Sequence, residues 1–231
     1  MSTLLYELKN VSVCYKHFSL FPGKQLVKFA LTDVSFSIYP GETLGVIGKN
    51  GSGKSTLLRL LCRIIKADRG DVICRAKRIT LLSLGAGFDN YLTGNDNIVL
   101  SGSLLGMTYR EIKKARPDIM ELAGLGEAIN MPVRTYSAGM RSRLGFAIAY
   151  YANPDLLLLD ENLGVCDYEF QKKSAALIKG KIKSSAQTTV LVSHNINVIK
   201  ELCSRVLWLE KGVVKSIGDT AQVTQDYIKN P

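Results

Sequence analysis

The sequence has few of the features that mark membrane-spanning, secreted or metal-binding proteins. No run of apolar residues approaches the roughly 20 needed to span a bilayer. Residues 1–10 contain Glu7 and Lys9, where a signal peptide would need an apolar core, so we expect a cytosolic chain. The five cysteines are scattered and form no C-x-x-C pair, which predicts reduced thiols rather than a disulfide framework or a zinc site.

Length and composition favour a globular protein with a substantial core. The 231 residues, of which 46% are hydrophobic, fit one domain or a domain with a subdomain. The net charge of +10 is compatible with a nucleic-acid partner, an anionic membrane surface or a well-solvated lysine-rich surface. Composition does not distinguish among these three.

Short apolar stretches alternate with helical patterns along the chain, which predicts an α/β sheet. Strands are predicted at residues 8–15, 34–38, 43–47, 78–82, 156–159, 189–192, 207–209 and 213–214. We expect the turn Pro40-Gly41 to join the second and third of these strands as a hairpin. Residues 16–29 are expected to form a loop or a hairpin extension, and residues 66–71 a charged turn.

Helices are predicted at residues 55–65, in an insert over 92–151, and at 220–229. In the insert, Thr108 and Glu111 form a capping box, Pro117 predicts a kink or break near residues 115–116, and a third helical run covers 138–151. We therefore predict one domain, residues 1–231. Residues 1–91 and 152–231 would form its core, and 92–151 a helical subdomain.

Residues 48–55, with the sequence GKNGSGKS, fit the pattern G-x-x-x-x-G-K-[ST]. They lie between a predicted buried strand and a predicted helix. In such a loop the backbone N–H groups point inward at a phosphate, and the helix N-terminus adds partial positive charge. Lys54 is expected to reach the β- and γ-phosphates of a nucleoside triphosphate, and the Ser55 hydroxyl to bind Mg²⁺. The alternative is a glycine turn that arose by chance.

Polar residues also follow two other predicted strands. Asp160 and Glu161 come after four leucines, and His194 follows the strand at 189–192. Because ligands of such sheets bind at the carboxyl ends of the strands, we expect Asp160 to hold Mg²⁺ through water and Glu161 to polarise the water that attacks the γ-phosphate. His194 would hydrogen-bond the γ-phosphate. The alternatives are an acidic surface turn and an ordinary polar residue at a strand end.

A second helix start has the chemistry to bind a phosphate. Ser137 supplies a hydroxyl, and Gly139 lies in the first turn of the helix predicted at 138–151. The same pattern is also an ordinary serine N-cap. Two phosphate-binding helix starts in one chain suggest two chains that share two nucleotides.

These motifs, together with Asp167, occur in the order found in the ATP-binding-cassette (ABC) ATPases, and the resemblance covers nearly the whole chain. It implies an α/β fold, the P-loop NTPase fold of ABC type: a mixed sheet core, an antiparallel β subdomain and an inserted helical subdomain. It also implies a head-to-tail dimer. By this resemblance the ATP-binding residues are Tyr15, Gly48, Asn50, Gly51, Ser52, Gly53, Lys54, Ser55, Thr56, Ser137, Ala138, Gly139, Met140 and Asp167.

The roles implied by the resemblance differ along the chain. Tyr15 would stack on adenine, although a core tyrosine at a strand end is the alternative. Residues 48–56 match the Walker A loop, residues 137–140 the signature motif and Asp167 the D-loop aspartate. The catalytic residues would be Lys54, Glu161 and His194, and the Mg²⁺ ligands Ser55 and Asp160.

Four stretches narrow the resemblance to ATPases that export bacterial surface polysaccharides such as O-antigen, capsule and teichoic acid. They are residues 135–146 (TYSAGMRSRLGF), 84–98, 160–167 (DENLGVCD) and 170–173 (FQKK). The resemblance implies an ATPase homodimer on the cytoplasmic face of the bacterial inner membrane. It would bind ATP and Mg²⁺, dock on a polytopic permease, in two copies, near residues 85–88, and power export of a lipid-linked glycan. No nucleic-acid partner is expected.

The chain departs from the family pattern in two respects. No glutamine lies between Ile79 and Leu92, where most cassettes place a metal- and water-sensing glutamine. We also expect no C-terminal carbohydrate-binding domain. The alternatives are an ABC ATPase of another transporter class, or a soluble one acting on nucleic acid or ribosomes, although the latter usually carry two cassettes or a coiled-coil insert.

Overall fold

The computed structural model describes residues 4–18, 25–82, 87–160, 168–184 and 187–230. The strands in these ranges are β1 (Tyr6–Phe18), β2 (Gln25–Ile38), β3 (Thr43–Ile47), β4 (Arg69–Cys74), β5 (Ile79–Leu82), β6 (Leu156–Leu159), β7 (Thr188–Val192), β8 (Arg205–Glu210) and β9 (Val213–Asp219). The α-helices are α1 (Lys54–Leu61), α2 (Gly94–Leu104), α3 (Tyr109–Ala123), α4 (Ala138–Tyr151), α5 (Tyr168–Ser184), α6 (Ile196–Leu202) and α7 (Thr220–Lys229).

The described residues form two compact units, one from residues up to 76 and from 187 onward, the other from those within 77–184. In the first unit, β2, β1 and β4 make an antiparallel sheet in that order. In another sheet, β3 is paired in parallel with both β7 and β8, and β9 is antiparallel to β8. Every residue of β3 and β7 is buried, as expected for central parallel strands.

The second unit combines the parallel pair β5 and β6 with helices α2 to α5. Helix α3 packs its buried face, which includes Ile112 and Ile119, within this unit. Two 3-10 turns, Gly126–Asn130 and Val133–Thr135, connect α3 to α4. The predicted domain and subdomain boundaries stay a prediction.

Most predicted elements occur where the sequence pattern indicated them. Residues 16–18 and 25–29 belong to β1 and β2, so the described part of 16–29 is a hairpin extension rather than a loop. The capping box is also confirmed, since Thr108 Oγ1 accepts from the Glu111 N–H and the Glu111 carboxylate accepts from the Thr108 N–H.

Three local predictions were wrong. Strands β2 and β3 do not form a hairpin, because β2 pairs with β1 while both edges of β3 are taken by β7 and β8. Residues 69–71, expected in a charged turn, begin β4, whose exposed residues are held by pairing with β1. Of the kink or break predicted near residues 115–116, the break is absent, since α3 runs through Pro117 without interruption, and the kink stays a prediction.

Candidate active site

The phosphate loop lies between β3 and α1, as its sequence indicated. Gly53 precedes α1 with a φ of 107°, and no side chain caps this helix start. Helices α2, α3, α4, α6 and α7, in contrast, each begin with a side-chain cap from Thr93, Thr108, Ser137, Asn195 or Asp219. The first N–H groups of α1 are therefore left to a bound anion, the arrangement that favours phosphate.

Lys54 is the cation of this loop, and its side chain is buried. Its ammonium donates hydrogen bonds to the carbonyl oxygens of Gly48 (2.7 Å) and Lys49 (3.0 Å). Ser55 is exposed and Thr56 is half-buried in the first turn of the helix. A cation and two hydroxyl residues beside uncapped N–H groups fit a phosphate chain and its metal ion.

The loop glycines allow close packing against the rest of the first unit. A Cβ atom on Gly48 would collide with the Leu209 carbonyl oxygen, and one on Gly53 would lie 2.6 Å from the Ala30 carbonyl oxygen. Both glycines also have positive φ values. The loop therefore needs glycine at these two positions for steric as well as conformational reasons.

Tyr15 lies on β1 and comes close to the phosphate loop. Its hydroxyl is 3.5 Å from Thr56 Oγ1, a long contact for two hydroxyls, and its ring is half-buried. The tyrosine is thus not a core residue, and a partly exposed ring stands next to the start of α1.

His194 stands at the same edge of the parallel strands as the loop. Val46 is paired with Val192, and Gly48 and His194 each follow their paired residue by two positions. The Ser193 N–H donates to the Val46 carbonyl oxygen (3.4 Å), which continues this pairing. His194 is exposed. The first unit therefore places His194 at the end of the parallel strands where the phosphate loop lies, and Tyr15, on the antiparallel sheet, beside Thr56.

The signature motif lies in the second unit, at the start of α4. Ser137 Oγ accepts a hydrogen bond from the Met140 N–H (3.2 Å), so this serine is an N-cap. Ser137 and Ala138 are exposed, and Gly139 and Met140 are half-buried. A Cβ atom on Gly139 would meet only Ser137 Oγ, at 3.9 Å. No other residue in the described ranges would crowd a side chain at this position.

The residue before the motif anchors it to the second unit. The Tyr136 hydroxyl donates to the Ala128 carbonyl oxygen (2.6 Å), and burial raises the pKa of Tyr136, which keeps this donor protonated. The backbone N–H groups of Val133 and Arg134 donate to the carbonyl oxygens of Leu92 and Asn90, each at 2.9 Å. The motif is thereby tied to the segment that precedes α2.

Asn97 also fixes the segment that precedes α2, residues 89–93. This residue is fully buried, and its side-chain amide donates to the carbonyl oxygens of Asp89 (3.0 Å), Leu92 (3.3 Å) and Thr93 (2.9 Å). Its Oδ1 accepts from the Asp89 N–H (2.9 Å). The segment directly follows the expected permease contact at residues 85–88, of which Gly85 and Ala86 lie outside the described residues. Gly87 is exposed and Phe88 is half-buried.

The carboxylates expected to act with Mg²⁺ are described only in part. Asp160 directly follows β6 and is half-buried, while Glu161 and Asp167 lie outside the described residues. Within the described ranges, no group of three or more His, Cys, Asp or Glu side chains is placed to hold a metal ion. A hydroxyl such as that of Ser55 and a carboxylate such as that of Asp160 are each ligands that Mg²⁺ accepts, and Mg²⁺ is usually bound by few protein ligands together with substrate phosphates.

The sequence did not indicate which residues from elsewhere in the chain pack against the phosphate loop. Leu209 and Gly212, at the β8–β9 turn, contact the loop through their backbone atoms. The dipeptide Lys211-Gly212 indicates only a turn between the strands predicted at 207–209 and 213–214, because a contact between residues so distant in sequence has no local pattern.

Comparisons with known proteins agree with this geometry. Residues 31–164 match the family model described as ABC transporter. The teichoic acids export ATP-binding protein TagH of Listeria innocua is 38% identical over 95% of this chain and 70% of its own length. The O-antigen export system ATP-binding protein RfbB of Klebsiella pneumoniae is 38% identical over 91% of this chain and 84% of its own length.

A solved structure shares the fold over most of the chain. The ATP-binding cassette MJ0796, solved as a dimer in a post-hydrolysis state bound to ADP and Pi, superposes with a TM-score of 0.74. It is 25% identical and covers 93% of this chain and 98% of its own.

These features define a P-loop nucleotide-binding protein: a buried strand is followed by a glycine loop with a buried lysine, and then by a helix whose start has no side-chain cap. The chain belongs to the ABC transporter family. Within that family it is an ATP-binding cassette, the part that hydrolyses ATP. This confirms the resemblance and the α/β fold class drawn from the sequence. In the described part of the chain, no helix combines the length and the apolar character needed to cross a membrane.

Proposed function

We propose that this cassette powers the export of a lipid-linked polysaccharide, similar to O-antigen, across the bacterial inner membrane. The observation that carries the proposal is its likeness, over nearly the whole chain, to ATP-binding proteins of teichoic acid and O-antigen export. The sequence stretches at 135–146 and 160–167, typical of such exporters, support the same substrate class.

Residues of the first unit bind ATP in this proposal. The N–H groups of residues 48–56 hold the phosphates, Lys54 neutralises the β- and γ-phosphates, and Tyr15 stacks on adenine. The uncapped start of α1 and the buried Lys54 ammonium support the phosphate assignment. The position of Tyr15 beside Thr56 supports the assignment of the base.

The hydrolytic step uses residues at the carboxyl ends of the strands. Glu161 polarises the attacking water, a role that contributes roughly 10²–10⁴-fold to the rate, and His194 hydrogen-bonds the γ-phosphate. Ser55 and Asp160 hold Mg²⁺, which supplies charge neutralisation at the phosphates when bound. The extension of the β3–β7 pairing toward His194 supports its role.

Two chains act together. The exposed signature residues Ser137 and Ala138, with Gly139, Met140 and Asp167, complete the site of a partner chain, so that two chains enclose two nucleotides. The dimeric state of MJ0796 with ADP and Pi supports this arrangement. ATP then holds the chains together, and hydrolysis releases them.

The closing and opening of this dimer act on a membrane permease. We propose that the dimer lies peripherally on the cytoplasmic face of the membrane and binds a polytopic permease, in two copies, that handles the glycan. The segment around Phe88, tied through Asn97 to α2 and through Arg134 to the signature motif, is the proposed contact. The net charge of +10 suits the anionic cytoplasmic leaflet.

Co-purification tests this function against its rival. We expect the native protein, extracted in detergent, to elute with a multi-span membrane protein. A control that carries Lys54→Ala should elute with the same partner, because docking does not need bound ATP. Recovery with RNA or ribosomes instead of a membrane protein would contradict export and support a soluble cassette that acts on nucleic acid.

A further inference from the structure

Gly212, in the turn between β8 and β9, links the phosphate loop to strand β2 through its own peptide groups. Its N–H donates to the Ser52 carbonyl oxygen (2.9 Å), and its carbonyl oxygen accepts from the Thr32 N–H (2.8 Å). We propose that Gly212 is a positioning residue for nucleotide binding, which holds the phosphate loop at a fixed distance from β2. The inference rests on the proposed ATP-binding role of that loop.

The packing around Gly212 leaves no space for a side chain. A Cβ atom there would lie 2.7 Å from the Ala30 carbonyl oxygen and 3.1 Å from its carbon, and the φ of Gly212 is 82°. The Ala30 oxygen also limits Gly53, at 2.6 Å from a Cβ on that residue. Backbone atoms rather than flexible side chains set these limits, so any residue larger than glycine at 212 must move the turn, the strand or the loop.

A second wall of the loop comes from the same hairpin. The Leu209 carbonyl oxygen stands where a Cβ on Gly48 would be, and the Leu209 side chain lies 3.2 Å from a Cβ on Gly53. Ser52, buried beside them, carries the carbonyl that Gly212 binds. The loop is therefore held between Ala30 of β2 and Leu209 of β8, and Gly212 connects these two walls.

The link extends to the proposed adenine contact. Strand β2 is paired with β1, with Leu31 opposite Val13 and Lys28 opposite Tyr15. The Tyr15 hydroxyl in turn lies 3.5 Å from Thr56 at the other end of the loop. Displacing Gly212 thus changes the distance between the phosphate loop and the strand pair that carries Tyr15, so the affinity for the whole nucleotide should fall.

The variant Gly212→Ala tests the inference, with Gly126→Ala as its matched control. Gly126 also has a positive φ, 53°, but nothing lies within 4 Å of a Cβ atom there, so it reports the backbone strain alone. We expect Gly212→Ala to lose more thermal stability than Gly126→Ala, because it adds the collision with Ala30 to the backbone strain that both variants share. Only Gly212→Ala should raise the KM for ATP, by about tenfold or more, with a smaller change in kcat. An unchanged KM in folded Gly212→Ala would overturn the inference.

Hydrogen exchange of the native chain provides the test if Gly212→Ala does not fold. MgATP should slow exchange in peptides that contain Gly212 and Thr32 as well as in the loop. Protection limited to residues 48–56 would refute the positioning role. Failure of the native chain to bind ATP would instead refute the proposed function, so the two failures are distinguishable.

Discussion

The phosphate loop holds the Lys54 side chain with its own backbone. The Lys54 ammonium is satisfied by two loop carbonyls, and only 9% of the residue is exposed. A phosphate oxygen is a stronger acceptor than a carbonyl because it is charged, so a bound nucleotide can take over these hydrogen bonds without a large change of the side chain.

Replacement of Lys54 should therefore weaken nucleotide binding more than it weakens the fold. We expect Lys54→Ala to lower ATP affinity by about 1.5–3 kcal/mol, the usual contribution of hydrogen bonds to charged groups. Calorimetric titration measures this loss. Lys66→Ala, which removes an exposed lysine beyond α1, is the matched control. Equal affinities in the two variants would show that Lys54 does not contact the phosphates.

At the scale of elements, Pro117 shows how tertiary packing overrides a local signal. The proline removes a hydrogen bond within α3, yet the helix continues because Ile112, Ile119, Leu122 and Ala123 are buried along one face. The capping box at Thr108 and the left-handed Gly124 fix its two ends. The burial of that face offsets the local cost of the proline.

Replacing Pro117 should therefore stabilise the folded protein. Because Pro117 is exposed, we expect Pro117→Ala to raise the free energy of unfolding by about 1–3 kcal/mol. Thermal melting should rise by several degrees. Pro132→Ala serves as the control, since Pro132 precedes a 3-10 turn and its replacement removes only a restraint on the unfolded chain. A lower melting temperature for Pro117→Ala would mean that the ring itself packs favourably.

The same contrast between local and distant forces explains what the sequence could predict. Strand, loop and helix around residues 43–61 follow from local pattern, and so does the N-cap at Ser137. The exposed strand β4 and the separation of β2 from β3 depend on which strand each one pairs with. The bridge through Gly212 joins residues far apart in the chain, so only the folded structure reveals it.

At the scale of the whole molecule, the exposure of the signature motif and its glycine at position 139 are not explained by contacts among the described residues. Ser137 and Ala138 are exposed, and among the residues that the structure describes only Ser137 Oγ, at 3.9 Å, would meet a Cβ atom on Gly139. A glycine at a position where these residues leave room for a side chain is accounted for if a partner's nucleotide approaches it closely. The proposed site is then completed only when two chains meet, which lets a nucleotide-binding loop drive a large motion.

One measurement tests that claim most directly: the ATP-dependent oligomeric state of Glu161→Gln, compared by sedimentation with Glu161→Gln/Gly139→Arg. Glu161→Gln should bind MgATP without turnover and form a dimer that ADP does not support. The double variant should fold and bind ATP equally well, because no described residue other than Ser137 comes within 4 Å of a Cβ atom at position 139, yet remain a monomer. Dimers of equal stability in both variants, or ATP binding by Glu161→Gln with no dimer, would contradict the shared site.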